Sequence, residues 1–96
     1  MLYVAFVEAK LDSVDQGDLA AKSRQWWNEG GRPAGLKTVG IWGTLGTQSP
    51  DVFIFETDSY DDMHTMIEYW RDVADIEVYP GADLTAAFRD QGMNIA

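Results

Sequence analysis

The apolar residues of this 96-residue chain alternate between the period of two expected of strands and the three-and-four spacing of helices, and that alternation restricts the fold more than any single motif. Leu2 to Val7 combines β-branched, aromatic and small apolar residues until Asp12 and Ser13 break the run, which predicts a first strand. From Asp15 the spacing changes: Leu19, Ser23, Trp26, Trp27 and Gly30 trace a helical stripe that stops at Gly30-Gly31. Gly17 weakens the start of that helix, so its first regular turn is expected from Asp18. Arg32-Pro33-Ala34-Gly35 reads as a turn. Leu36 to Leu45 then reads as a second strand, with Val39 and Ile41 on one face and Thr38, Trp42 and Thr44 on the other. A connection from Gly46 to Asp51, containing Ser49-Pro50, leads to a third strand over Val52 to Thr57 that pairs with the second as a hairpin. Ser59 is expected to cap the next helix, with Asp61 and Asp62 in its first turn. The stripe of that helix is Tyr60, Met63, Ile67, Trp70 and Ala74, widened by Met66 and Val73. Asp75 to Tyr79 alternates with period two and stops at Pro80-Gly81, a fourth strand. Asp83 is placed to cap a short last helix carrying Leu84, Ala87 and Phe88, with Gly92 as its stop.

The order strand, helix, strand, strand, helix, strand predicts a single α+β domain over residues 1–96: a ferredoxin-like βαββαβ antiparallel sheet with two helices on one face, plus a short C-terminal helix. Such a sheet leaves its second face bare. A bare face that is partly apolar and aromatic is an association surface, so the chain is expected to form a homodimer through the open sheet face.

Charge and composition narrow the function. Seven Lys and Arg against sixteen Asp and Glu leave a net charge of −9, which repels nucleic-acid phosphates and anionic membrane surfaces. The chain has no Cys, which excludes disulfides, thiolate metal sites and cysteine nucleophiles. No apolar run approaches the roughly 20 residues that span a bilayer, and no basic segment precedes Met1–Val7, so a soluble, cytoplasmic protein is expected. No two-His zinc spacing or calcium loop is present, so neither a metal nor another cofactor is expected. His64 is the only histidine and no Gly-x-Ser-x-Gly elbow accompanies it, which removes a Ser-His-Asp triad.

Strand periodicity directs attention to two carboxylates. In the fourth strand Ile76 and Val78 face one way and Asp75, Glu77 and Tyr79 the other, and the helix-covered side must be the apolar one. The same logic puts Phe53 and Phe55 under the helices, with Val52, Ile54 and Glu56 on the open face, while the first strand, apolar on both faces, has no readable orientation. Glu56 and Glu77 beside Trp42 and Tyr79 form an acid–base candidate if the dimer desolvates them; a solvated sheet edge or a hydrogen-bonding pair between subunits is the competing assignment. His64 falls at the border between the apolar stripe of its helix and solvent, where a locally hydrogen-bonded histidine competes with a pocket acid or base. Trp26 and Trp27 with Trp70 suit a crevice between helices and sheet for a flat apolar or aromatic ligand, or else fill the core of a small domain. Gly40, Gly43 and Gly46 lie along a strand and its turn, where they permit bending or close approach of another chain rather than phosphate binding.

The opening Met-Leu-Tyr-Val, the Gly-Leu-Lys-Thr-Val-Gly-Ile-Trp of the second strand, Glu56-Thr57-Asp58, and the stretch Trp70 to Pro80 resemble a family of short uncharacterised proteins with a dimeric α+β-barrel fold. The resemblance covers nearly the whole chain and implies that fold and a homodimer. Many relatives of that family place a His after the second-strand Trp, where Gly43 stands here, so no role of that His carries over. The wider superfamily contains cofactor-independent monooxygenases, isomerases, cyclases, heme-degrading enzymes and regulatory modules, and fold alone does not choose among them. The Asn of the heme-degrading members is missing from the first strand and His64 precedes Trp70, so that chemistry does not transfer. The expectation is a homodimer that binds a small apolar or aromatic molecule, with acid–base isomerisation or cyclisation, or cofactor-independent oxygenation, as the candidate chemistry; Glu56 and Glu77 are the acid–base candidates, His64 an outlying one, and Tyr3, Trp42, Trp70 and Tyr79 the pocket walls. The alternative is a non-catalytic interaction or regulatory dimer whose barrel is packed solid.

Overall fold

The computed structural model describes residues 1–10, 15–45 and 50–96. The expected interruption at Asp12 and Ser13 and most of the connection after the second strand, including Gly46 and Ser49, lie outside these residues. The elements run β1 (Leu2–Ala9), α1 (Gln16–Asn28), β2 (Lys37–Trp42), β3 (Asp51–Glu56), α2 (Tyr60–Trp70), β4 (Ala74–Gly81) and α3 (Leu84–Asp90). The four strands form one antiparallel sheet in the order β2-β3-β1-β4. Neither β-α-β unit keeps its own strands adjacent: β3 lies between β1 and β2, and β1 lies between β3 and β4.

Pairing of Tyr3 with Phe55, and of Ala5 with both Phe53 and Val78, defines the face that α1 and α2 cover. Tyr3, Ala5 and Phe55 join Trp26 of α1, Leu36, and Met63 and Met66 of α2 in one buried core, with Val7, Phe53, Ile76 and Val78 packed against it. Burial of Leu36, Phe55 and Met63 contributes about 1.5–3 kcal/mol each. The orientations read from the alternation of β3 and β4 hold. Tyr3 lies in the strand with no readable orientation, and its ring is buried in the core against Tyr60, centroids 5.9 Å apart.

The second strand departs further from expectation. A register shift between Thr38 and Gly40 leaves Val39 in a bulge, with Thr38 opposite Phe55 and Ile41 opposite Phe53 on the helix side, and Trp42 opposite Val52 on the open side. Val39 and Ile41 therefore look in opposite directions, because one unpaired residue reverses the alternation on either side of it. Gly40 serves its own strand: a Cβ there would lie 2.2 Å from the Trp42 ring, which rests over this glycine. Thr44 falls beyond the strand and donates to the Pro50 carbonyl at 3.1 Å.

Helix ends also differ from the sequence reading. Asp15 accepts a hydrogen bond from the Asp18 amide at 3.1 Å, a cap that offsets Gly17 and starts α1 at Gln16. Ser59 makes no side-chain cap to α2. Buried Thr57 organises that end instead, accepting from the Ser59 amide at 3.1 Å and donating to Asp62 Oδ2 at 2.6 Å. Helix α2 ends at Trp70, and Val73 and Ala74 stay buried because the chain turns under the helix end into β4. That strand continues through Pro80, opposite Tyr3, which an edge strand tolerates because one side of its backbone has no partner. The last helix is as expected, with Asp83 accepting from the Ala86 amide and Gly92 at φ 85° ending it. No helix among the described residues is long and apolar enough to cross a membrane.

Candidate functional site

The helical stripes and the inward strand positions leave a cavity of about 210 Å³ between α1, α2 and the sheet. Its walls are mainly aromatic and aliphatic: Trp26 and Trp27 from α1, Trp70 from α2, Phe53 from β3 and Ile76 from β4, with Met66 over it. The polar groups at it are few. Ser23 spends its hydroxyl on the Leu19 carbonyl at 2.9 Å, and exposed Asp51, opposite Val7, stands on the same side of the sheet. The three tryptophans read from sequence as a crevice are thus together. Phe53 and Ile76, read only as core, join them in the wall.

An aromatic lattice holds this cavity in shape. Trp26, 1% exposed, packs against Tyr69 and Trp70 with centroids 4.8 and 5.8 Å away, and Tyr69 meets Trp70 edge-on at 5.1 Å. The Tyr69 hydroxyl donates to the Lys22 carbonyl at 2.8 Å and lies 3.0 Å from Gln25 Oε1, fastening α2 to α1. Lys22 Nζ sits 4.5 Å from the centre of the Tyr69 ring and 3.0 Å from Asp72. That hydrogen bond from Lys22 holds the Asp72 carboxyl below its ordinary value, against an opposing effect of desolvation. Trp27, one step round the helix from Trp26, is half-buried, and the Arg32 guanidinium lies 5.6 Å from its ring centre.

The carboxylate candidates occupy the other side of the sheet. Trp42, Val52, Phe6 and Glu77 make one cross-strand row of the open face, and Gly40, Ile54, Val4 and Tyr79 the next. Glu56 pairs with Leu2, four residues from Phe6. Glu56 and Glu77 are therefore separated by about 13 Å along the strands and by two inter-strand steps of about 4.8 Å, and they do not meet within the chain. Glu77 does meet Tyr79, whose hydroxyl donates to Oε2 at 2.8 Å. This bond, then the negative charge of Glu77, then slight desolvation raise the Tyr79 phenol above the ordinary tyrosine pKa. Phe6 packs edge-on against Tyr79 at 6.0 Å, and the two line a shallow basin with Glu8, Asp75 and Glu77. Trp42 stands three strands away from Glu77. His64 is exposed on α2 rather than at the border of its apolar face, and it is not among the residues around the cavity. Among the described residues no three His, Asp or Glu side chains converge to hold a metal ion.

The arrangement separates two surfaces: a mainly apolar, aromatic cavity under the helices, and an open sheet face with an apolar centre and acidic ends. No curated protein matches the chain. Residues 1–89 match the family model described as Domain of unknown function (DUF3303), and the chain belongs to that family.

Proposed function

We propose that this protein binds a small, flat, apolar or aromatic molecule in the helix-side cavity, and that it does so as a homodimer whose sheets pack face to face in a ferredoxin-like, dimeric α+β-barrel arrangement. The cavity carries the proposal: about 210 Å³, walled by Trp26, Trp27 and Trp70 over Phe53 and Ile76. An apolar cavity of about 150 Å³ takes up benzene, so a somewhat larger ring system such as indole is the appropriate size class. Ligands of this kind gain from dispersion and ring contacts with few oriented hydrogen bonds, which fits a lining whose serine is already engaged.

The split β-α-β topology supports the ferredoxin-like assignment. Exposure of Val39, Trp42 and Tyr79 around Leu2, Val4, Phe6, Val52 and Ile54 supports association through the open face. Glu77 with Tyr79 is the proposed acid–base element at that dimer seam, and Glu56 and His64 act apart from it. Binding, rather than turnover by these carboxylates, is the primary role we assign, because the sheet separates them from the cavity.

Isothermal titration calorimetry with indole tests the binding. A saturable heat in the wild type whose dissociation constant rises at least tenfold in Trp70→Ala supports the cavity. No saturable heat, or a dissociation constant unchanged by Trp70→Ala, refutes it.

A further inference from the structure

The C-terminal segment holds a defined shape although all of its residues are exposed. Asp83 caps α3 through the Ala86 amide at 3.2 Å. The helix closes with the Gly92 and Met93 amides on the Arg89 and Phe88 carbonyls at 2.9 and 3.0 Å, and the Arg89 guanidinium holds the Ile95 carbonyl at 3.0 Å. Yet every residue from Ala82 to Ala96 is exposed, including Leu84 at 62%, Phe88 at 44%, Met93 at 51% and Ile95 at 40%. A seven-residue helix falls well short of the length at which helices persist alone in water, so a partner surface is needed to keep it.

We propose that α3 and the residues after it form a dimerisation arm, whose apolar side seats on the open sheet face of a second copy of this chain. The inference rests on the face-to-face homodimer proposed above and names the element that completes it. The receiving surface is a groove of about 330 Å³ lined by Leu2, Val4, Val39 and Ile54, at the root of the receiving copy's own α3.

Three observations support a second copy as the occupant. First, ridge and groove lie side by side: Leu84 and Thr85 themselves border the groove. A two-fold axis then lets each ridge fill the other copy's groove, as an isologous contact requires. Gly81 eases this placement, because a Cβ there would stand 3.0 Å from Val4 Cγ2, a tight approach that the glycine avoids where the chain leaves the open face for α3. Second, the areas match. At the 150–250 Å² that large side chains offer, the exposed parts of Phe6, Val39, Trp42 and Tyr79 amount to roughly 400 Å². The exposed parts of Leu84, Phe88, Met93 and Ile95 add about as much again, and a standard interface buries about 800 Å² per partner. The sheet face alone supplies about half of that. Third, the arm suits a strongly acidic protein meeting its own copy. Asp83, Arg89 and Asp90 give its side chains 1 − 2 = −1, against −9 for the chain.

Sedimentation equilibrium over a wide concentration range, on the wild type and on Leu84→Glu/Phe88→Glu, tests the arm. Both residues are exposed, so the sheet and the first two helices of the variant should fold as in the wild type, its far-ultraviolet circular dichroism losing at most the contribution of α3. Leu84→Met/Phe88→Leu, which keeps the apolar side, should associate normally. The expected result is a wild-type dimer and at least a hundredfold weaker association in the double-Glu variant. A wild-type dimer that the double-Glu variant reproduces with the same dissociation constant overturns the arm and leaves the dimer. A wild-type monomer at every concentration overturns the dimer itself, and open-ended oligomers overturn the two-fold exchange.

Discussion

Replacing Ala74 by Leu probes the cavity from its floor. Ala74 is 6% exposed, opens β4 opposite Ala9, and lies in the cavity wall with Val73 and Ile76. The larger side chain adds roughly 80 Å³, somewhat over a third of the open 210 Å³. Three added carbon groups are worth about 2.4 kcal/mol of burial at about 0.8 kcal/mol each. Ordering the new side chain costs about 0.5–1 kcal/mol, which leaves a net stabilisation near 1.5 kcal/mol. For a domain of this length that raises the thermal midpoint by about 6–12 °C when protein concentration is held fixed. Indole binding should fall at least tenfold in the same variant, because ligand and side chain compete for one volume. Calorimetric melting and isothermal titration calorimetry of the two proteins measure both effects. A variant destabilised by about 1–3 kcal/mol, the cost of overpacking, refutes the reasoning by showing that no usable space exists at that wall.

Other predictions follow from single contacts. Thr38 Oγ1 is buried and has no hydrogen-bond partner among the described residues, so Thr38→Val should stabilise the fold by about 1 kcal/mol in urea unfolding, and a loss of stability would show a missed partner. The Asp72 carboxyl is held low by Lys22, so the ion pair stabilises the protein above the ordinary aspartate pKa and that contribution disappears as pH falls through the lowered value. Asp72→Asn should therefore flatten the acid limb of the stability profile and change little in shape near neutrality. Tyr79 is held high by Glu77, so stability linked to its neutral form is present below the ordinary tyrosine pKa and is lost as pH rises through the raised one. In Glu77→Gln, ultraviolet titration should show one tyrosine ionising earlier, and Tyr79→Phe should remove that component.

How much of this was legible in the sequence depended on where side-chain chemistry differed between the two faces of an element. In β4 the contrast of Ile76 and Val78 with Asp75 and Glu77 dictates the orientation, and the structure shows it. In β1 both faces are apolar, so only pairing with β3 and β4 reveals that Tyr3 is core while Leu2, Val4 and Phe6 are open. In β2 the bulge at Val39 has no periodic signature, although a Gly two residues before a Trp in a strand was a usable sign that the ring lies over the backbone there. The stripe of α2 runs on to Ala74 because the turn under its end stays buried, and helical spacing does not distinguish the two. The three tryptophans of the cavity were accessible from their helical positions, since a stripe fixes which residues share an inward face. The separation of Glu56 from Glu77 was not, because it depends on strand register, which nothing local in the sequence sets.

The most direct test of the central claim is methyl-detected nuclear magnetic resonance of the isotopically labelled protein during titration with indole. Binding in the helix-side cavity predicts saturable shifts at Met66, Val73 and Ile76, with Val4, Ile54 and Leu84 unmoved. Shifts confined to the open-face set, or no saturable shift in either set, would contradict it.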